Sequence, residues 1–484
     1  MGRPDRYRRR QRPIPPRTTP LPPSPTSPDP EQGAGTVPIL APTASPVDLD
    51  ALARLAAAEQ AKQRAGDCLR PVLLSGRRLL VDTSTGRIVD QLDTADIGHS
   101  IGVRCRNRRR VVCPACSALY RLDAFHVFAA GLRGGKDTPA LVADHPRLFV
   151  TLTAPSFGRV HCGPGRDGSP RRCHPRDGCG RWHGVGDPAI GTAIDPGGYD
   201  YGGQVLFNAH AGRLWARFTI DVRRHLATAA GLTRMAAAGQ VRVVFAKVAE
   251  FQTRGVVHLH AIVRLDGPTG PGSAPPAWAT LRRLTSAIRS AATGVGITVS
   301  GSRITSSRVL RWGRQLDIRR IGGHGMSDVA VAGYVAKYAT KSTEAAGIDI
   351  PPLFCRTCTG HGVTTPTGGR LCRSCNGTGR RPGITLDRLT DHVRTLVDTC
   401  WRLGGHPQYG GLRRWAHQLG FHGHFASKSR GYSTTFAALR AERRTWSTLG
   451  QAERLGLPTD TPLLVVSDWR YTGHPDPGHQ RRSA

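Results

Sequence analysis

Acidic side chains are the scarce class in this 484-residue chain. Only 34 Asp and Glu stand against 68 Lys and Arg, a formal net charge of +34. A surface so short of one sign repels itself, which points to a polyanionic partner, and nucleic acid is the first choice. A GC-rich genome would exchange Lys for Arg but would not put basic over acidic residues two to one. Long apolar runs are missing too: none approaches the ~20 residues that span a bilayer, so no membrane partner is expected. The opening "MGRPDRYRRRQRPIPP" has no apolar segment behind its charges, and Arg6 stands where a myristoylation signal has Ser or Thr. A cytoplasmic protein is expected, and there the 12 cysteines read as metal ligands rather than disulfides. No Gly-x4-Gly-Lys-Ser/Thr stretch occurs, so no helicase motor is recognisable, and no internal repeat stands out.

What is present divides the chain. Residues 1–46 hold 13 of the 36 prolines together with Arg clusters, the composition of a disordered basic arm. Residues 47–140 open with a helix over "SPVDLDALARLAAAEQAKQR" and continue into a cysteine-containing basic region. Alternating patterns begin near 147 with "RLFVTLTA" and continue through a helix over "AHAGRLWARFTIDVRRHLATAAG". "QVRVVFAKVAEFQ" and "VVHLHAIVRL" then read as two strands joined by a short turn at "TRG". "APPAWATLRRLTSAIRSAA" and "SDVAVAGYVAKYATKSTEAAG" read as helices. Strands and helices intermix without a βαβ rhythm, which predicts an α+β fold with a central antiparallel sheet flanked by helices. The expected domains are 141–348 for this sheet unit, 349–385 for a cysteine module, 386–470 for a basic helical region and 471–484 for a disordered tail.

The chemistry centres on "HLH", residues 258–260. On a strand, residues i and i+2 share a face, so His258 and His260 project together while Val257, Leu259, Ala261 and Val263 pack the other way. Two imidazoles are half of a divalent-metal site. Across the turn the preceding strand offers Glu250 or Gln252 as a third, oxygen ligand, and two His with one such group leave positions open for catalysis. A solvent-facing coincidence on an edge strand is the plain alternative. In "GYVAKYATKS", Tyr334 and Tyr338 lie four apart on a helix, as do Lys337 and Lys341. A phenol with a pKa of ~10 attacks phosphorus only when its proton leaves and phosphate charge is offset, which a metal and a neighbouring lysine would supply. Aromatic packing of a helix onto the sheet would explain the tyrosines but not the lysines. "RLFVTLTAP" adds a strand with Thr151 and Thr153 on one face.

Cysteines supply a second theme. Cys355-x2-Cys358 and Cys372-x2-Cys375, thirteen residues apart, form a strong tetrahedral Zn²⁺ signal of structural type. Cys105, Cys113 and Cys116 give three further ligands, the fourth to come from His126 or from the group Cys162, Cys173, His174, Cys179 and His183. Between 405 and 445, His406, His422, His424, Trp415, Phe421, Lys428 and Arg430 suit either DNA contact or a packed helical region with a basic face.

Taken in order, "FVTLT" (149–153), "HLH" (258–260) and "YVAKYATK" (334–341) resemble the three motifs of HUH rolling-circle replication initiators. "TAPSFGRVH", "NAHAGRLWARFTI" and "LGFHGHFASKSRGYSTT" are similar to actinobacterial plasmid and integrative-element initiators of the RepSA type, a likeness that spans roughly 100–445. The resemblance implies an enzyme that nicks one strand at a replication origin and leaves a 5′-phosphotyrosine. His258 and His260 would match the metal ligands, with Glu250 as the third and Gln252 its alternate. Tyr338 would match the nucleophile and Tyr334 the second tyrosine, an order that spacing leaves open because "YVAK" and "YATK" fit the same pattern, and Lys341 would match a phosphate-side helper. Mg²⁺ or Mn²⁺ is the implied metal; the implied partners are origin DNA with an unpaired or hairpin segment, a host helicase and a DNA polymerase. The family's further cysteine pair before its Tyr-Asp-Tyr element has no counterpart in "IDPGGYDYGG", which puts a zinc site built from residues 162–183 in question. Two alternatives stay open: a conjugative relaxase, which usually carries its tyrosine ahead of the histidines, and a non-catalytic zinc-containing DNA-binding regulator.

Overall fold

The computed structural model describes residue 56, residues 59–60 and residues 62–475 apart from 166, 177, 303, 365–368 and 459. The expected arm, most of the expected helix over 45–64 and the end of the expected tail lie outside the described residues. Strands β1 (Val72–Asp82), β2 (Ile88–Asp93) and β3 (Ile101–Val103) precede helix α1 (Pro114–Arg133). Strand β4 (Arg147–Leu152) leads to α2 (Tyr201–Ala229) and α3 (Arg234–Gln240), and then comes the hairpin of β5 (Arg242–Phe251) and β6 (Val257–Asp266). Helix α4 (Leu281–Gly294), the short strands β7 (Ile297–Val299), β8 (Arg308–Leu310) and β9 (Leu316–Arg320), and helix α5 (Asp328–Ala339) follow. The chain closes with α6 (Asp391–Leu403), β10 (Ala426–Lys428), α7 (Phe436–Arg454) and β11 (Leu463–Gly473).

The central sheet is antiparallel throughout, in the order β10-β5-β6-β4-β9. Its two faces follow from alternation along β6. Leu259, Ala261, Val263 and Leu265 join the large core shared with α2, α4 and α6. Ile262, with Phe149, Val244, Ala246 and Val248, faces the other way into a second core with α1 and α5. His258 and His260 share the parity of Ile262 and so stand on the α5 side. Burying each large apolar side chain in these layers contributes roughly 1.5–3 kcal/mol, which holds the strands flat against the helices. On the same parity, Arg264 and Asp266 form a fully buried pair (2.6 Å), and Asp266 also accepts from His145 Nδ1 at 2.8 Å.

Helix α5 starts where Ser327 Oγ accepts from Ala330 N–H at 3.2 Å, an N-cap that satisfies one orphan donor. It ends at Ala339, so Lys341 lies beyond the helix rather than on its face with Lys337. In a second sheet, β1 pairs with β11 on one edge and with β2 and β3 on the other, joining the two ends of the described region. Within the region read as helical, 386–470, the chain makes β10 and most of β11 besides α6 and α7, and β11 runs on to Gly473, into the stretch expected as tail. No helix among the described residues is long and apolar enough to cross a membrane.

Candidate active site and cysteine clusters

The turn Thr253–Gly255 closes on hydrogen bonds Gln252 N–H to Val256 O (2.9 Å) and Gly255 N–H to Gln252 O (2.8 Å). It sets the register that places Glu250 directly opposite His258 and Val248 opposite His260. Glu250 Oε2 consequently lies 2.9 Å from His258 Nε2 and 3.0 Å from His260 Nε2, with 3.1 Å between the two nitrogens. Adjacent ligands on an octahedral ion with bonds of ~2.1 Å are ~3.0 Å apart, so this triangle fits one face of a Mg²⁺-like coordination sphere. The donor set agrees: one carboxylate and two imidazoles with the remaining positions free. Of the two alternatives for the third ligand, Glu250 is the one that meets both imidazoles. Gln252 lies past the strand end, where its side-chain oxygen accepts from Arg254 Nε at 3.0 Å.

Burial alone would raise the Glu250 carboxyl. The hydrogen bonds and charges of His258 and His260 outweigh it and hold the pKa at about 2. Burial pushes the His260 imidazolium down, the Glu250 contact opposing it. At neutral pH the pocket thus offers an ionised carboxylate and a neutral imidazole, the protonation states that bind a metal.

Strand β4 supplies a support the sequence pattern shows only as a pair of threonines on one face. Thr151 is in register with His260, and its Oγ1 lies 2.9 Å from Nδ1. With Nδ1 carrying the proton, Nε2 presents its lone pair to the triangle. Phe149 stacks on the same imidazole with ring centres 5.8 Å apart.

Helix α5 brings both tyrosines to this pocket. Tyr334 Oη lies 3.2 Å from His260 Nε2; the two tyrosine rings are 4.5 Å apart, and the Tyr338 ring is 5.7 Å from that of His260. Burial and then the Glu250 charge push the Tyr338 phenol up. The lysines gather at Tyr338, with Lys341 Nζ 5.0 Å and Lys337 Nζ 5.8 Å from its ring centre.

Cys355, Cys358, Cys372 and Cys375 form a buried cluster, with Sγ separations of 3.9 Å (355–372) and 3.7 Å (358–375). Backbone N–H groups of Gly362 and Gly379 donate to Cys358 and Cys375 sulfurs, each at 3.3 Å. Both glycines have positive φ, and a Cβ on either would collide with the carbonyl of Gly377 or Gly360 on the opposite knuckle.

The second cluster corrects one expectation. The partner of Cys105, Cys113 and Cys116 is Cys68, neither His126 nor any residue of 162–183. Cys68 Sγ lies 3.8 Å from that of Cys113 and 3.6 Å from that of Cys116, and accepts from Cys105 N–H at 3.3 Å. Cys68 stands alone in "GDCLRP" with no Cys-x2-Cys spacing, so only the three-ligand deficit signalled it. Both four-cysteine clusters have the donor set that binds zinc. The loop between Cys105 and Cys113 also reaches α5: Arg108 Nη1 donates to Ala339 O (3.1 Å) and Lys341 O (2.6 Å), and Arg109 pairs with Glu344 and Asp349, both at 3.0 Å. In the 405–445 stretch, Phe421 is buried in the large core, and Lys428 Nζ donates to Ser433 O at 2.8 Å.

A mixed α+β domain with antiparallel sheets, flanking helices and metal-competent cysteine clusters is the class of protein this fold defines. The chain belongs to the RepSA family of replication initiators, whose family model, "Replication initiator protein, pSAM2", matches residues 54–483. A replication initiator protein of Streptomyces ambofaciens is 41% identical over 450 residues, which cover 89% of this chain and 90% of that protein. No solved structure matches.

Proposed function

We propose that the chain initiates rolling-circle replication of a plasmid or integrative element by nicking one strand of origin DNA. Residues 141–348 act as an HUH nicking-and-joining domain, 349–385 as a zinc-ribbon-like module and 386–470 as a DNA-binding region. The observation that carries this reading is the Glu250–His258–His260 triangle facing two tyrosines on one helix. Glu250, His258 and His260 hold Mg²⁺ or Mn²⁺, which supplies Lewis-acid polarisation of the scissile phosphate.

Tyr338 Oη attacks the phosphorus, the bond to the 3′ oxygen breaks, and a 5′-phosphotyrosine and a free 3′-OH result. The phosphodiester energy stays in the covalent link, so no nucleotide is consumed, and the 3′-OH primes synthesis. Lys341 and Lys337, close to the Tyr338 ring, offset charge on the phosphate side. Tyr334 takes part when the displaced strand is released and rejoined. The scissile segment must be unpaired to reach the pocket, and unwinding and synthesis fall to a host helicase and polymerase.

The test is cleavage of a labelled single-stranded origin oligonucleotide with Mg²⁺ or Mn²⁺, read as a protein–DNA adduct on a denaturing gel. An adduct is expected that disappears with EDTA and with Tyr338→Phe. If it survives Tyr338→Phe and vanishes with Tyr334→Phe, the tyrosines exchange roles. No adduct from the wild-type chain on its own origin would favour a non-catalytic DNA-binding regulator.

A further inference from the structure

The segment between β4 and α2 poses a packing problem. Among its described residues there is no helix or strand, only the bridges Val160–Ala193 and Arg172–Trp182. Its described residues from His161 to Ile190 contribute nothing to the hydrophobic cores, and Trp182 and Val185 are 56% and 92% exposed. What is buried instead is Cys173, with no exposure, and His183 at 8%. Long connections without secondary structure are uncommon, and one that lacks an apolar centre needs another tie.

We propose that His161, Cys173, Cys179 and His183 bind a zinc ion in a third site, beside the two four-cysteine clusters. Their ligand atoms all lie within 4.8 Å of one another. His161 Nδ1 is 3.2 Å from His183 Nε2, Cys179 Sγ is 3.4 Å from His183 Nε2, and Cys173 Sγ is 3.9 Å from His161 Nδ1. Tetrahedral zinc with bonds of ~2.1 Å to nitrogen and ~2.3 Å to sulfur sets its ligands ~3.4–3.8 Å apart, close to these values.

A second contact gives the cluster its direction. His183 Nδ1 meets Asp187 Oδ2 at 2.6 Å, which places the ring proton on Nδ1 and leaves Nε2 as a lone pair aimed inward. A carboxylate behind a histidine is the usual outer support of a zinc ligand. Of the neighbouring residues, His174 turns Nε2 to Val160 O at 3.1 Å, and Cys162 supports Cys173 by donating its backbone N–H to the sulfur at 3.3 Å. Cys68 completes the other incomplete cluster, so the His161–His183 set is free to hold its own ion.

The ion would fold the segment against the turn of the β5–β6 hairpin. Pro155 O accepts from Arg254 Nη1 at 3.2 Å, and His392 joins Ala193 N (3.3 Å) to Arg254 O (3.2 Å). A Cβ on Gly191 would meet Thr253 at 2.7 Å. The site's consequence therefore reaches the turn that sets the Glu250–His258 register.

The test is zinc content of the full chain, measured by mass spectrometry in a His258→Ala, His260→Ala background so that active-site imidazoles cannot contribute. Three ions per chain are expected, with nitrogen ligands visible in the zinc X-ray absorption spectrum. Cys173→Ser should lower the content by one ion, while Cys162→Ser should leave it unchanged. Two ions per chain, or an all-sulfur spectrum, would overturn the proposal; the spectrum settles the matter even where Cys173→Ser fails to fold.

Discussion

Thr151 and His260 face each other across two strands, and the contact at 2.9 Å engages Nδ1 and leaves Nε2 toward Glu250. Thr151→Val keeps the shape and removes the hydroxyl, so Nδ1 loses its partner and the ring part of what orients it. Outer-support losses of this kind typically weaken metal affinity ~10–100-fold. We expect Mn²⁺ titration of Thr151→Val to show such a drop, with adduct formation recovering at high Mn²⁺ and Thr151→Ser close to wild type. Unchanged Mn²⁺ affinity would mean that Phe149 stacking alone orients the ring. The pairing of His258 and His260 was legible because a strand's period of two makes His-x-His a statement about one face. The hydroxyl behind them was not, since Thr151 becomes a partner only through pairing with a strand more than a hundred residues away. Cys68 escaped for the same reason: its neighbours in space are 37, 45 and 48 residues away in sequence.

At the scale of elements, β5, β6 and α5 are legible because each carries a strong local signal: alternation, a glycine-containing turn and a serine cap. Strand β10 is not, for three residues in a glycine-rich stretch have no pattern of their own and are recruited by the edge of β5. The end of α5 shows the same dependence. Its last carbonyls have no partner within the helix, and Arg108 from the cysteine-cluster loop answers both Ala339 O and Lys341 O while its guanidinium lies 4.1 Å over Phe425. Removing that clamp should cost ~1–3 kcal/mol through unsatisfied carbonyls. It should also let Tyr338 and Lys341 drift from the triangle. Arg108→Ala is therefore expected to slow adduct formation at least tenfold while Mn²⁺ affinity, held on the sheet, stays within twofold. Loss of both together would indicate that the sheet, not the helix end, had given way.

The whole molecule carries its charge as the dominant global feature, and charge makes a prediction that no single residue does. With +34 overall, binding of single-stranded origin DNA should release counterions for every phosphate neutralised, so log K falls linearly with log salt. A contact of 6–10 phosphates would lose on the order of 10³–10⁵ in duplex affinity between 50 and 200 mM salt, and somewhat less on a single strand. Fluorescence anisotropy with the origin oligonucleotide and with a scrambled one separates the two contributions to binding. We expect nearly parallel slopes for both, because phosphate contact is common to them, and a vertical offset that reports recognition of the origin. Adduct yield should track that offset at fixed Mn²⁺, since only a correctly registered strand presents its scissile phosphate to Tyr338. A shallow slope on both oligonucleotides would mean that the basic surplus lies away from the DNA path. The affinity would then have to come from stacking and base contacts, which salt barely touches.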